Sequence, residues 1–407
     1  MTEGQWDRSR YDAILVGGGL ANQLIAWRLT DRRPDLRLAI VERGPELGGN
    51  HTWSFHATDI SPAQSRWIEP LVTYSWDRQE VRFPGQPDRV LGTGYRSVLS
   101  DKLAAAVREH CPNLAVLTNA SAEDVRPDRV TLADGTVLSA PLVIDGRGAL
   151  REQPLALAFQ KFYGLEIETE TPHGETHPVI MDATVAQADG YRFVYTLPMT
   201  ANRILVEDTY YSEDPGFEAD VLERRTRAYA DAKGLAHCQG RPQEQGILPI
   251  SLAGDIDRHW ATLGRELPRA GLRAWLFHAT TGYSVPYAAR LADRIATARE
   301  LTSASIAAVV EAESRAVWSE QAYMRLINRL LFVGAKPSER VAVMARFYRL
   351  GEPLIQRFYA GQLTLADKAR ILSGRPPIPI SRGLRVIAPE RAWDFVAGRP
   401  ALTSDLG

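Results

Sequence analysis

Residues Tyr11 to Glu42 read YDAILVGGGLANQLIAWRLTDRRPDLRLAIVE. Ala13 to Val16 are apolar and partly β-branched, and Gly17-Gly18-Gly19 stops the run. Leu20, Leu24 and Trp27, with Ala21, Ile25 and Leu29, then recur at helical spacing, so one stripe can pack on a sheet. Leu36 to Val41 read as a second buried strand, and Glu42 follows it. This strand, turn, helix, strand and acid order gives a glycine fingerprint its meaning. Gly17 permits the tight turn and Gly19 lets backbone approach a pyrophosphate. Leu20, Ala21 and Asn22 open the helix, whose N-terminus offers free N–H groups and a positive dipole end. Glu42, about 20–25 residues on, is placed to accept hydrogen bonds from an adenosine ribose, and Arg43 follows it.

The third glycine of the fingerprint belongs at position 22, where Asn22 stands. A bare G-x-G also occurs in ordinary α/β proteins, but the surrounding context favours an FAD or NAD(P) site at the N-terminus.

A chain of 407 residues suits two domains or one composite fold. Its hydrophobic fraction of 45% and charged fraction of 24% are those of a globular protein. A net charge of −1 gives no reason to expect nucleic acid as a partner. Cys111 and Cys238 form no metal or redox motif, and their scarcity fits a reducing cytoplasm. MTEGQWDRSR lacks the apolar core of a signal peptide, and no run of about 18 apolar residues predicts a spanning helix. Nothing in the sequence sets an oligomeric state.

Arg43 to His56 reads as a glycine-rich loop. Its His51 and His56 have no companion cysteine or paired carboxylate, so packing or hydrogen bonding is expected of them and no metal site. A helix is expected after Ser97 or Ser100, either of which suits an N-cap. Leu114 to Thr118 is a buried strand, and Ala122 to Leu138 a three-stranded meander with hairpin turns at Pro127-Asp128 and Asp134-Gly135. Pro141 to Ile144 is a strand ending in Asp145-Gly146-Arg147-Gly148. A meander in place of the second crossover helix favours FAD over a resident NAD(P).

Phe159 to Glu168, Ile180 to Ala183, Gly190 to Pro198 and Arg203 to Tyr210 read as consecutive antiparallel strands, a floor for an apolar ligand. Glu207 and Asp208 end the apolar run Ile204-Leu205-Val206 and, as strand neighbours, point to opposite faces. From spacing alone both read as exposed carboxylates. A helix (Glu218 to Ala232) and a short strand (Gly246 to Ile250) follow. A strand (Ala274 to Phe277) then leads through a loop with Gly282, Tyr283 and Ser284 to a helix from about Tyr287 to Leu301, opened by Pro286. This second helix N-terminus is expected to sit against the flavin and pyrophosphate. From Ser303 the chain is mainly helical. Arg315 to Arg391 holds 14 Lys/Arg against 5 Asp/Glu, interleaved with aromatic residues. Such a segment suits either an anionic membrane surface or a helical subdomain with an aromatic core.

Six blocks together carry a family resemblance: DAILVGGGLANQLIAWRL (Asp12 to Leu29), GGNHTWSFH (Gly48 to His56), IMDATV with DGYRFVYTLP (Ile180 to Pro198), ILVEDTYY (Ile204 to Tyr211), GILPI (Gly246 to Ile250) and FHATTGYSVP (Phe277 to Pro286). The chain resembles the bacterial lycopene β-cyclases, and Asn22 matches that family's G-G-G-L-A-N. The resemblance implies an FAD-binding Rossmann-like fold of the glutathione-reductase and hydroxylase type. It implies an isomerase that closes β-ionone rings on lycopene, via γ-carotene, to give β-carotene, using reduced FAD with NAD(P)H as reductant. It makes Glu207, with Asp208 as alternative or support, the acid that protonates the terminal double bond. Burial beside apolar residues raises a carboxyl pKa, which such an acid requires. An anionic flavin facing the resulting cation is worth about 4 kcal/mol at about 4 Å with a dielectric near 20.

The expected organisation is 1–158 for the first part of the FAD unit, 159–245 for the substrate sheet, 246–302 for the return segment and 303–407 for a helical, membrane-facing region. A lycopene-using enzyme without a spanning helix is expected in the cytoplasm, peripheral to the inner face of the membrane. The alternatives are an FAD-dependent monooxygenase or prenyl-chain reductase of the same fold, and a carotenoid carrier with a vestigial flavin unit.

Overall fold

A computed structural model describes residues 9–150, 153–188, 190–235, 241–373 and 379–386. The first eight residues, Cys238, Arg375 and Arg391 lie outside the described residues.

Four parallel strands lie in the order Leu142–Asp145, Ala13–Val16, Leu38–Val41, Leu114–Leu117. They are apolar throughout because both faces are covered. Ala13, Leu15, Leu38, Ile40 and Ile144 pack against the helices Leu20–Arg32, Ser100–His110 and Val285–Ala296. Ile14, Val16, Ala39 and Val41 pack on the other side against Val130, Leu132 and Leu138 of the expected meander. The meander therefore does the covering that a crossover helix does in a plain dinucleotide unit.

The second layer is a mixed seven-stranded sheet. Its order is Arg241–Gly254, Leu155–Glu168, Arg203–Ser212, Tyr191–Thr200, Val179–Asp182, Gln79–Arg82, Arg89–Leu91. Only the Val179–Asp182 and Gln79–Arg82 pair is parallel. The sheet thus takes two strands from within 1–158 and extends past residue 245, so it is wider than the 159–245 segment expected for it. One face packs on the helix Ala219–Ala232. The other packs on a smaller sheet (Thr52–His56, Tyr95–Leu99, Tyr74–Trp76) and on the C-terminal helices.

Several local expectations are corrected. The loop after Arg43 ends at Thr52, because Thr52–His56 pairs antiparallel with Tyr95–Leu99. Neither Ser97 nor Ser100 caps the following helix: Ser97 is in that strand, and the Ser100 hydroxyl donates to Gly49 C=O at 2.8 Å. Ala274 to Phe277 is not a strand. A 3₁₀ turn, Gly271–Ala274, precedes Trp275 at φ 55°, and the Trp275 ring stacks on His259 at 4.1 Å. The next helix stops at Ala296, where the Thr297 hydroxyl donates to Asp293 C=O at 2.7 Å.

The C-terminal helices are part of the core. Phe332, Tyr348, Phe358 and Tyr359 are buried against the sheet. Arg329 and Arg340 are buried too, donating to Leu252 C=O at 2.6 Å and Leu331 C=O at 3.2 Å. The segment's buried aromatic residues pack on the sheet, and its arginines bind both the sheet and the segment's own helices. Leu365 (84% exposed), Leu372 (50%) and Val333 (45%) are the large apolar residues it leaves exposed among the described residues. No helix among the described residues is long and apolar enough to cross a membrane.

Candidate active site

The N-terminal turn is built for close approach. Gly17 adopts φ +95°, and a Cβ there would meet Gly146 O at 2.8 Å. A Cβ on Gly19 would meet nothing within 4 Å, so the helix end is open on that side. The first helical bond is Gln23 N–H to Gly19 C=O, which leaves the amides of Leu20, Ala21 and Asn22 ahead of the ladder.

Asn22 ties this turn together. Its Nδ2 donates to Val16 C=O at 3.0 Å and Gly17 C=O at 2.8 Å. A Cβ on Gly146 would strike Nδ2 at 2.6 Å, so the asparagine occupies space that Gly146 vacates. Glu42 accepts from Gly18 N–H at 2.6 Å and Gly44 N–H at 2.8 Å, which brings its carboxylate to the turn. Arg43 beyond it is exposed. Asp145 sits under Gly146 and accepts from Arg147, Arg269 and Arg273 at 2.9, 3.1 and 2.8 Å. Burial pushes its carboxyl up, but the three arginines outweigh that and hold it below the usual range. An open helix N-terminus, a glycine turn and an acid at the second strand's end fit a dinucleotide such as FAD.

The carboxyl cluster lies on the seven-stranded sheet, on the face that carries the smaller sheet. Residues opposite each other on neighbouring strands share a face. Tyr195, Glu207, Gly164 and Glu244 are successive partners across four strands and form one row. Glu207 and Glu244 are 7% and 5% exposed. Their carboxyls come together in front of Gly164. A Cβ on Gly164 would lie 3.3 Å from Glu244 Cγ and 3.6 Å from Glu207 Oε2. The Thr209 hydroxyl donates to Glu207 Oε1 at 2.9 Å, and Thr52 N–H donates to Glu244 Oε2 at 2.7 Å. Burial pushes Glu207 up to about 7, against the pull of Thr209 and Glu244. Burial and then the Glu207 charge push Glu244 well above its ordinary value.

Beside the row runs a chain of phenols. Tyr195 Oη lies 3.1 Å from Tyr95 Oη and 3.0 Å from Ser54 Oγ, within hydrogen-bond reach of both. Tyr95 Oη is 2.7 Å from Tyr283 Oη. Burial raises all three phenols well above their ordinary value, so they stay neutral. Tyr283 belongs to the 277–284 loop, whose Gly282 faces Leu248 of the sheet and whose Ser284 begins the helix Val285–Ala296. That helix lies alongside Leu20–Arg32. The loop thus joins the glycine-turn unit to the carboxyl row.

Asp208 faces the other way. Arg192 Nε donates to both its oxygens at 3.0 and 2.9 Å, and Nη2 donates to Oδ2. The structure therefore brings Gly17 to Asn22, Glu42, Asp145 and Gly146 around one turn, and brings Tyr283 towards Glu207. Asp208 stands apart. Sequence reasoning missed Glu244. The signal for it was slight: an acid two residues before the apolar block at Gly246.

The fold is that of the FAD-dependent monooxygenases. It resembles the p-nitrophenol 4-monooxygenase of Pseudomonas putida with a TM-score of 0.60 at 16% identity, over 87% of this chain and 99% of that one. It also resembles a geranylgeranyl bacteriochlorophyll reductase-like protein of Thermoplasma acidophilum with a TM-score of 0.51 at 14% identity, over 94% of this chain and 96% of that one. Within that fold the chain belongs to the lycopene cyclase family, whose profile, described as lycopene cyclase protein, matches residues 12–385. It is 46% identical over 374 residues to the lycopene beta-cyclase of Pseudescherichia vulneris, covering 92% of this chain and 96% of that one. Against the lycopene beta-cyclase of Pantoea ananas it is 44% identical over 378 residues, covering 93% and 98%.

Proposed function

We propose that this protein is an FAD-containing lycopene β-cyclase in which Glu207 is the acid. The observation that carries the reading is a carboxyl buried on an apolar sheet face, pushed up to about 7 and so available in its protonated form near neutral pH. An alkene is a poor base, and an ordinary exposed carboxylate is fully ionised at that pH.

Protonation of the terminal double bond breaks the Glu207 O–H bond and forms a C–H bond, leaving a tertiary cation. The neighbouring double bond attacks it and closes the ring. A ring C–H bond then breaks, its electron pair forms the ring double bond and its proton passes to the Glu207 carboxylate or to water, so one proton enters, one leaves and no net electrons move. Thr209 steadies the Glu207 carboxylate left behind. The neutral phenols of Tyr95, Tyr195 and Tyr283 offer aromatic faces to the cation. Asp208 is the supporting group, held by Arg192 behind the strand. Gly17 to Asn22, Glu42, Arg43, Asp145, Gly146, Gly282, Tyr283 and Ser284 would hold FAD, which in its reduced form, with NAD(P)H as reductant, would supply negative charge to stabilise the cation.

Lycopene and γ-carotene partition into bilayers, so access from a membrane surface belongs to the same reading. Leu365 and Leu372, seven residues apart on one helix, are the exposed apolar pair suited to that contact.

The test is expression in a lycopene-accumulating cell. The wild type should convert lycopene to cyclic carotenes. E207Q should leave lycopene unconverted while retaining bound FAD. Anaerobic turnover with only catalytic reductant separates a cyclase from a monooxygenase or prenyl reductase, each of which consumes reductant with product. Cyclisation by E207Q would defeat the assignment of the acid.

A further inference from the structure

The assignment of Glu207 leaves a second buried carboxyl unexplained. Glu244 has no part in the ring closure as written, yet it shares the row with Glu207 and meets it across a glycine. A Cβ at position 164 would crowd Glu244 Cγ at 3.3 Å and touch Glu207 Oε2 at 3.6 Å. The outer oxygen of each carboxyl is already satisfied: Thr209 Oγ1–H donates to Glu207 Oε1, and Thr52 N–H donates to Glu244 Oε2. The two carboxyls meet across Gly164, and two carboxylates cannot hydrogen-bond each other without a proton between them.

The surrounding charges do not replace that proton. Tyr195 adjoins Glu207, with Tyr95 and Tyr283 beyond it, and all three are neutral phenols. His51 precedes Thr52 and burial lowers its pKa, favouring the neutral ring. Glu166, two residues from Gly164, is paired with Arg203 at 2.8 Å. Asp208 lies on the opposite face with Arg192. Among the described residues no cation is paired with Glu207 or Glu244. Two like carboxyls in such a place cannot both ionise.

Building on Glu207 as the acid, we propose that Glu244 is its positioning residue, a carboxylic acid that stays neutral and donates its own O–H to Glu207 across Gly164. In the resting pair Glu207 carries the transferable proton on its other side. When that proton goes to the alkene, the O–H electron pair remains on Glu207 as carboxylate charge. The Glu244 O–H, which does not leave Glu244, then strengthens as a charge-assisted hydrogen bond to it. Glu244 therefore makes Glu207 a stronger acid than burial alone would allow, without itself meeting the substrate. Thr52 ties this device to the GGNHTWSFH segment, giving that motif a part in the acid's environment.

Glutamine copies a neutral acid at this position: its carbonyl can accept from Thr52 N–H and its amide can donate to Glu207. Leucine copies neither. The experiment compares ring closure by the FAD-loaded wild type, E244Q and E244L across pH, together with infrared spectra of the wild type and E244Q. E244L should be slowed about tenfold or more, with its alkaline limb moved up by about one pH unit, because the Glu207 anion loses a donor. E244Q should recover most of that loss and restore the limb. The wild type should show a protonated carboxyl band that persists above the alkaline limb and is absent from E244Q. If E244Q falls as far as E244L, or the wild type lacks that band, Glu244 is not a fixed neutral donor. If E207Q itself closes rings, the assignment of the acid fails instead, whatever the Glu244 variants do.

Discussion

Asp208 and Arg192 form a fork-like ion pair on the face of the sheet opposite Glu207, both residues buried and on adjacent strands. Removing one partner of a buried pair leaves the other charge stranded, which costs about 3–5 kcal/mol. D208A should therefore lose stability of that order in denaturant melts. Any folded, FAD-loaded fraction should still close rings. A D208A protein as stable as wild type but inactive would give Asp208 a chemical role instead.

The pH dependence of stability carries a signature of Glu207. Its pKa is raised from the ordinary 4.5 to about 7 on folding. The folded state therefore binds more protons than the unfolded state between these values. The resulting stabilisation is complete below the unfolded pKa and is lost as pH rises through the folded one. E207Q should flatten this decline relative to wild type in melts taken from pH 4.5 to 7. Parallel curves for the two proteins would mean that the carboxyl is not perturbed by burial.

Gly164 is the spacer of the acid pair. An added Cβ would lie 3.2 Å from Leu205 Cδ1 and 3.3 Å from Glu244 Cγ, tight contacts on a packed face. G164A should cost about 1–3 kcal/mol of stability and should also slow ring closure by separating the carboxyls. Unchanged turnover in G164A would show that the pair tolerates separation.

Asn22 and Gly146 compete for one volume. G146A should push Asn22 off the turn and weaken FAD retention. N22A should weaken it too, by loss of the bonds to Val16 and Gly17. Because each change acts through the other residue, the double variant should lose less than the sum of the singles, with a coupling of about 0.5–3 kcal/mol. Strict additivity in FAD titrations would rule out this contact as the reason for the sequence.

Leu365 and Leu372 provide the check on surface binding. The L365S/L372S variant should sediment less with anionic vesicles than wild type while its melting temperature is unchanged, since neither leucine is buried. Equal sedimentation would remove this helix from the proposed contact.

The sequence by itself determined the parts whose cause is local. Ala13–Val16, Leu38–Val41 and the helix between them follow from runs of apolar residues at strand and helix periods around a glycine turn. The opposite facing of Glu207 and Asp208 follows from the two-residue period of a strand, and the family resemblance supplied a reaction that needs an acid. Tertiary structure decided what depends on residues distant in the chain. Ser100 is not a cap because Gly49 claims its hydroxyl, and Trp275 leaves the extended form to stack on His259. The basic, aromatic C-terminal segment is largely core because its arginines find carbonyls on the sheet and its own helices. Glu244 becomes the neighbour of Glu207 only when strand register sets both against Gly164, and register between strands about 40 and 80 residues apart is written in no local pattern.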